Sequence, residues 1–286
     1  MGSCGSRPLP AFVDTARIMA LALEEAEMSR TPEDSEVYVP GSGLKRAMFG
    51  VDIDSGELAL AKQMGFDVVI AHHPCGGSTW AGFPVVLERH AKIMVDAGVA
   101  AGDAQAAVEA LKEEHGPRTH LLNYDRLPSV ARLLGMPFMN IHAPADEVGR
   151  RVMHQTIASG VRAGASVGDA VGALRGLPEF AHSPHPIVPR MGAFEAPLGR
   201  WTFVHGAGTN GGYPVASALF RAGLDTVFYI HIDPAHLKRL KDEFRARAKN
   251  LVVTGHIASD SVGINAVVRR LRREGLEVTP MGGVVE

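Results

Sequence analysis

Asp67-Val68-Val69-Ile70-Ala71-His72-His73-Pro74 (DVVIAHHP) is the stretch on which the fold turns. Its Val and Ile run, residues 67–71, has the pattern of a strand buried on both faces in a parallel sheet. Pro74 stops the strand, because proline cannot donate to a ladder. Upstream, residues 11–28 show helical periodicity, 46–53 read as a strand and 56–64 as a short helix. Downstream comes a mostly helical stretch, 84–134, then a second strand, 137–141, then helix-like segments to Leu174. Residues 177–199 are broken by Pro178, Pro184, Pro186, Pro189 and Pro197 and read as a linker or surface excursion. The last part alternates: strand 201–205, helix 213–222, strand 226–232, charged helix 235–249, strand 251–254, helix 261–273, strand 276–279. Alternation of this kind implies parallel or mixed sheet covered by helices. The expected architecture is α/β with two lobes: a flexible start at 1–10, an N-terminal lobe with a helical insertion at 11–176, a Pro-rich linker at 177–200 and a C-terminal lobe at 201–286.

The chain of 286 residues is 46% hydrophobic and 21% charged, which excludes wholesale disorder. Its 29 Lys and Arg against 31 Asp and Glu leave a net charge of −2, so there is no global basic field for nucleic acid or anionic lipid. A local basic patch at 238–249 remains. No stretch reaches the roughly 18 apolar residues of a membrane helix. Two cysteines, Cys4 and Cys75, are too few for a disulfide framework and fit a reducing cytoplasm. The start Met1-Gly2-Ser3-Cys4-Gly5-Ser6 formally matches an N-myristoylation pattern, although Gly/Ser starts are common in flexible tails.

Three motifs share one position type, the carboxyl end of a strand, where open α/β sheets place their ligands. His72 and His73 would point to opposite faces of a regular strand. At a strand end broken by Pro74 both rings can swing to one side, and two diverging imidazoles suit two metals about 3.5–4 Å apart. In His142-x-x-x-Asp146, Pro144 opens the next helix and places Asp146 in its first turn. In Gly255-His256-Ile257-Ala258-Ser259-Asp260 a histidine again follows a strand, with Asp260 four residues on at a helix start. Each has a plain alternative: structural histidines, and first-turn acids favoured by the helix dipole. Imidazole and carboxylate together suit Zn, Fe, Mn or Ni. Cys75 is a candidate ligand or a small core thiol, and His205, beside a glycine loop, is the most interesting remaining histidine.

That loop, Gly206-Ala207-Gly208-Thr209-Asn210-Gly211, matches G-x-G-x-x-G between a strand and a helix, with Asp225 and Asp233 near the ribose-binding distance. It reads as a nicotinamide dinucleotide site, as a substrate-phosphate loop through Gly206, Gly208 and Gly211, or as a tight turn needing positive φ.

The stretches VVIAHHP (68–74), MNIHAPAD (139–146), VVTGHIASDSVGIN (252–265), GGYPVASALFRAGLDTVF (211–228) and RAMFGVDI (46–53) resemble the NGG-one-interacting-factor-three-like family. Many of its members carry the label type 2 GTP cyclohydrolase I. The resemblance spans about 11–278 and implies two α/β lobes facing a shared metal site, assembled as a toroidal hexamer. By motif position it implies His72, His73, Asp146, His256 and Asp260 as ligands of two divalent ions (Fe, Zn or Mn), with His142 close by. Many members have Glu where this chain has Asp260, and the interval from His73 to His142 is long, which leaves Asp103 as a rival to Asp146. The function expected is a metal-dependent hydrolase of a nucleotide or phosphate-containing small molecule, with His142 or His205 shuttling protons. The alternatives are a metal-binding regulatory or chaperone-like protein without turnover, and a nicotinamide-dependent oxidoreductase using the loop 206–211.

Overall fold

In the computed structural model, which describes residues 13–206 and 208–286, the run Val68–Ala71 is wholly buried between two parallel neighbours. The N-terminal half comprises α1 (Thr15–Ala26), β1 (Glu36–Val39), β2 (Arg46–Gly50), α2 (Ser55–Gln63) and β3 (Val68–Ala71). There follow α3 (Thr79–Val86), α4 (Arg89–Asp96), α5 (Ala101–Thr119), α6 (Arg126–Leu134), β4 (Phe138–Asn140), α7 (Ala143–Gly160) and α8 (Val167–Leu174). The rest is α9 (Pro178–Ala181), β5 (Val188–Met191), β6 (Trp201–Val204), α10 (Gly212–Arg221), β7 (Thr226–Tyr229), α11 (Pro234–Glu243), β8 (Asn250–Val253), α12 (His256–Arg273) and β9 (Glu277–Met281). The expected flexible segment 1–10, with Cys4, lies outside the described residues.

Two sheets result, in the orders β1-β4-β3-β2-β9 and β5-β8-β7-β6. Each is parallel except for one antiparallel edge strand, β1 on β4 and β5 on β8. Sheet membership departs from chain order in two places. The final strand returns to the first sheet, where Glu277–Met281 pairs with Arg46–Gly50, so the stretch 201–286 is not one lobe by sheet pairing. The Pro-rich stretch is more than a linker: it supplies α9 and β5, and Pro189 is tolerated because β5 is an edge strand. The charged helix is shorter than its pattern, ending at Glu243.

Helix α12 starts at His256, five residues before the expected 261, because Gly255 at φ 104° turns the chain straight out of β8. Every residue from Ala258 to Val268 is buried. A helix stretch buried all round must be covered on every side. Ile264, Val267 and Val268 pack into the core of the first sheet, while Ala258 and Val262 join Met153, Ile157, Phe203 and Phe228 in that of the second. The helix is the wedge between the lobes, with α7 alongside. Among the described residues no helix is long and apolar enough to cross a membrane.

The free Cys75 is buried against β2, β3 and α6 residues, with Sγ 3.2 Å from the His73 carbonyl oxygen. It joins none of the metal-competent groups among the described residues. Burial, then Asp52 and Asp54, push its thiol up to about 12. At pH 8 its thiolate fraction is then on the order of 10⁻⁴, against about a quarter for an ordinary cysteine. Iodoacetamide at pH 8 should therefore leave Cys75 unlabelled in the native protein and label it within minutes in urea; peptide mapping reads this site separately from Cys4.

Candidate metal centre

The carboxyl ends of β2, β3 and β4 in one sheet and β6, β7 and β8 in the other converge on one cavity of about 360 Å³. Asp52, His73, His142, Asp146, His205, His231, His256 and Asp260 line it. The backbone explains the placement: each parallel strand runs out at the same edge, and the residue after it turns into the cleft. Asp146 sits in the first turn of α7 and Asp260 in the second turn of α12, one turn on from His256.

His72 is fully buried, and its Nδ1 lies 3.0 Å from the Ile141 carbonyl oxygen. A carbonyl only accepts, so Nδ1 carries the proton and the lone pair of a neutral ring sits on Nε2. That Nε2 faces Asp146 Oδ1 at 3.1 Å and Asp260 Oδ2 at 3.7 Å. His73 repeats the arrangement, with Nδ1 2.7 Å from Asp52 Oδ1 and Nε2 3.5 Å from Asp260 Oδ2. So does His142, with Nδ1 2.8 Å from Asp34 Oδ2 and Nε2 3.8 Å from Asp146 Oδ2. His256 Nε2 lies 3.1 Å from Asp260 Oδ2, and His205 Nε2 3.5 Å from Asp146 Oδ1 and 3.8 Å from Asp260 Oδ1. The His72 and His73 rings stand 5.0 Å apart at 43°, on one side of the broken strand end.

Five inward atoms have no hydrogen-bond partner although buried: His72 Nε2, His205 Nε2, Asp146 Oδ1 and both carboxylate oxygens of Asp260. Buried polar groups are normally satisfied, so a convergent set of unpaired carboxylate oxygens and imidazole nitrogens fits a cation. The outer nitrogens of His72, His73 and His142 are anchored as metal-ligating histidines are, on a carbonyl or a carboxylate. Burial alone would raise the Asp146 carboxyl, but His205, His142 and His72 hold it well below the carboxylate range. Asp260 behaves likewise, with His256, His72 and His73 outweighing burial. His73 is opposed by burial yet raised to about 10 by Asp260 and Asp52. His72 goes the other way, its burial outweighing the two acids. Two compact groups, His72–Asp146–Asp260 and His73–His256–Asp260, each have ligand atoms within 4.8 Å of one another, and they share Asp260. A third joins His72, His73 and His142.

No protein-family model and no curated protein matches the chain. Among solved structures, a NIF3 superfamily protein from Sphaerobacter thermophilus is 51% identical, covering 96% of this chain and 100% of its own, with a TM-score of 0.91. The chain belongs to the NIF3 superfamily. Reduced HcgD from Methanocaldococcus jannaschii shares the fold at 9% identity and a TM-score of 0.56, covering 95% of this chain and 99% of that one. A Bacillus cereus protein related to NIF3 does so at 8% and 0.51, covering 94% and 96%. At such identities the likeness is one of fold.

In this NIF3 superfamily chain the structure gathers His72, His73, His142, Asp146, His205, His256 and Asp260 into one cluster. Asp103 is elsewhere: it is exposed on α5 and lines a separate depression of about 870 Å³ between α5 and α10. Ser259 is structural, bonding Thr254 Oγ1 and the Gly255 carbonyl where β8 meets α12. Of the glycine loop, Gly208 and Thr209 line the cavity, while the Gly206 carbonyl is held by Arg89 Nε at 2.6 Å. Gly208, at φ 69°, lies so close to the Phe83 ring that a Cβ would sit 2.8 Å from it. Asn210 accepts from the backbone N–H of Ile230 and bonds His231 Nδ1 at 2.8 Å.

Sequence reasoning missed Asp34 and Asp52, and left His231 among several histidines that could serve the substrate or the surroundings of a site. Asp52 stands just beyond β2 inside the quoted stretch RAMFGVDI, and the strand-end rule that singled out His72 applies to it equally. His231 follows β7 in the same way. Asp34 lies in the loop before an edge strand, 108 positions from His142, and no local pattern marks it.

Proposed function

We propose that this protein is a dinuclear metal-dependent hydrolase acting on a nucleotide or another phosphate-containing small molecule. The observation that carries the reading is Asp260, one buried carboxylate common to two ligand groups, the arrangement needed to bridge a pair of ions. His72 and Asp146 would hold one divalent cation, His73 and His256 the other, with Asp260 between. Bound there, Fe, Zn or Mn supplies Lewis acidity toward water and the substrate's electrophilic centre. His142, anchored through Nδ1 on Asp34, presents Nε2 to the cavity and takes or returns the proton; His205 is the second candidate. No Lys or Arg is among the residues described around the cavity, so the Gly208–Thr209 segment and the ions would receive the phosphate.

Plasma mass spectrometry on untagged protein never exposed to nickel should find about two equivalents of metal per chain. Exhaustive chelation should abolish hydrolysis across a panel of nucleotides and phosphate esters. Activity that survives chelation overturns the reading, and silence from fully loaded protein points to a metal-binding protein without turnover. Asp34→Asn should keep the metal yet lower the rate roughly 10- to 100-fold, since an amide facing Nδ1 favours the wrong tautomer. Loss of metal along with rate in that variant would make Asp34 a structural support.

The family likeness also suggests a homohexamer. Leu121, Tyr124 and Leu133 are 84%, 67% and 89% exposed on the single chain, apolar surface that assembly would cover. Light scattering giving a monomer mass near 30.4 kDa would refute it.

A further inference from the structure

The cavity has an apolar side that the hydrolytic chemistry does not use. Trp80 and Phe83 of α3, three residues apart and so on one helix face, line it together with Pro74 and Ile230. Both rings stay partly exposed beside a cluster of imidazoles and carboxylates. The helix carrying them is held at its start: Glu36 Oε2 accepts from the Ser78 backbone N–H at 2.7 Å and from its hydroxyl at 2.9 Å. Midway, Gly82 packs so tightly on Glu33 that a Cβ would lie 2.7 Å from the Glu33 Cβ. The Phe83 ring is seated against Gly208. Trp80 also borders a second cavity of about 540 Å³, whose lining mixes Ala81, Pro84 and Leu122 with Thr119, His120 and Tyr124. Its indole thus stands between the two cavities.

We propose that Trp80 and Phe83 are specificity-determining residues that receive the planar ring of a substrate whose phosphate-bearing end reaches the His/Asp cluster. The inference rests on the hydrolase reading and narrows its substrate to phosphorylated molecules carrying a planar heterocycle. Small-molecule sites combine mostly apolar walls with a few convergent polar groups in this way. An aromatic wall accepts any flat ring, because stacking needs a π-face rather than a particular hydrogen-bond pattern.

The test uses the metal-loaded full chain with Trp201→Phe, which leaves Trp80 as the sole tryptophan of the two in the sequence. AMP should quench its fluorescence saturably and ribose 5-phosphate should not, and calorimetry should show ribose 5-phosphate binding about tenfold more weakly. Trp80→Ala should lose about tenfold in AMP affinity and Trp80→Phe much less, with metal content unchanged in both. Equal affinity for the two probes, failure of AMP to bind at millimolar concentration, or an unaltered AMP affinity in Trp80→Ala overturns the proposal. Metal analysis of the same samples reports on the hydrolase reading separately: protein without metal sinks that reading, while the ratio of AMP to ribose 5-phosphate affinity still decides the role of Trp80.

Discussion

Asp260→Ala should strip the whole centre, taking metal content from about two equivalents per chain to well under one. Its Oδ2 lies 3.1 Å from His256 Nε2, 3.5 Å from His73 Nε2 and 3.7 Å from His72 Nε2, and its Oδ1 faces His205 at 3.8 Å. Removing it takes a ligand from both groups at once and leaves the imidazoles without an anion to offset a dication. Asp260→Asn keeps shape and volume but not charge, so an equal loss of metal would assign the effect to the carboxylate rather than to packing. His256→Ala is the internal comparison. His256 belongs to only one of the groups that share Asp260, so this change should cost about one equivalent and leave His72–Asp146–Asp260 able to bind. If the Asp260 and His256 variants lose metal to the same degree, Asp260 is not shared and the dinuclear reading fails.

The second large effect is mechanical. Helices α7 and α12 cross at Gly149 and Gly263, where a Cβ on Gly263 would lie 2.0 Å from the Ala145 carbonyl oxygen and 3.1 Å from the Gly149 nitrogen. Both obstacles are backbone, so the helices themselves must separate. Overpacking of side chains costs 1–3 kcal/mol, and backbone against backbone belongs at or above the upper end, about 3 kcal/mol. In a chain of this size Gly263→Ala should lower Tm by about 5 °C. The crossing also sets the metal centre, since Asp146 is one residue from Ala145 on α7 and Asp260 lies three before Gly263 on α12. The variant should therefore bind metal more weakly even at temperatures where it is folded. Gly172→Ala on α8 is the control: a Cβ there meets nothing within 4 Å, and it should stabilise by up to about 1 kcal/mol. A Gly263→Ala protein with unchanged Tm and metal content would show that the helix crossing has slack to spare.

Much of the centre was legible because its parts are local. Buried strands announce themselves as Val and Ile runs, Pro74 and Pro144 mark where chain direction changes, and a histidine just after such a run stands at the sheet edge that binds ligands. The expected start of α12 falls late because Ser259, Asp260 and Ser261 are weak helix formers, whereas the fold buries all three within the helix. Strand β1 escaped notice for a related reason. Its four residues are only half-buried on an edge, too few to display a period.

From the sequence alone, then, came the α/β class, the strand ends and the identities of His72, His73, His142, Asp146, His205, His256 and Asp260 as candidate groups. These depend on the order of residues within a few positions, which fixes strand, turn and helix start. Only the tertiary structure decided that both sheets present their carboxyl edges to one cleft, that Asp260 reaches His72, His73 and His256 together, and that Asp103 does not take part. The same holds for Asp34 behind His142, for the aromatic wall from the helical insertion and for the last strand's return to the first sheet. Each of these joins residues many tens of positions apart. Such pairings follow from how α12 and α7 pack between the two cores, and that packing is a property of shape and volume in three dimensions that no short window of sequence contains.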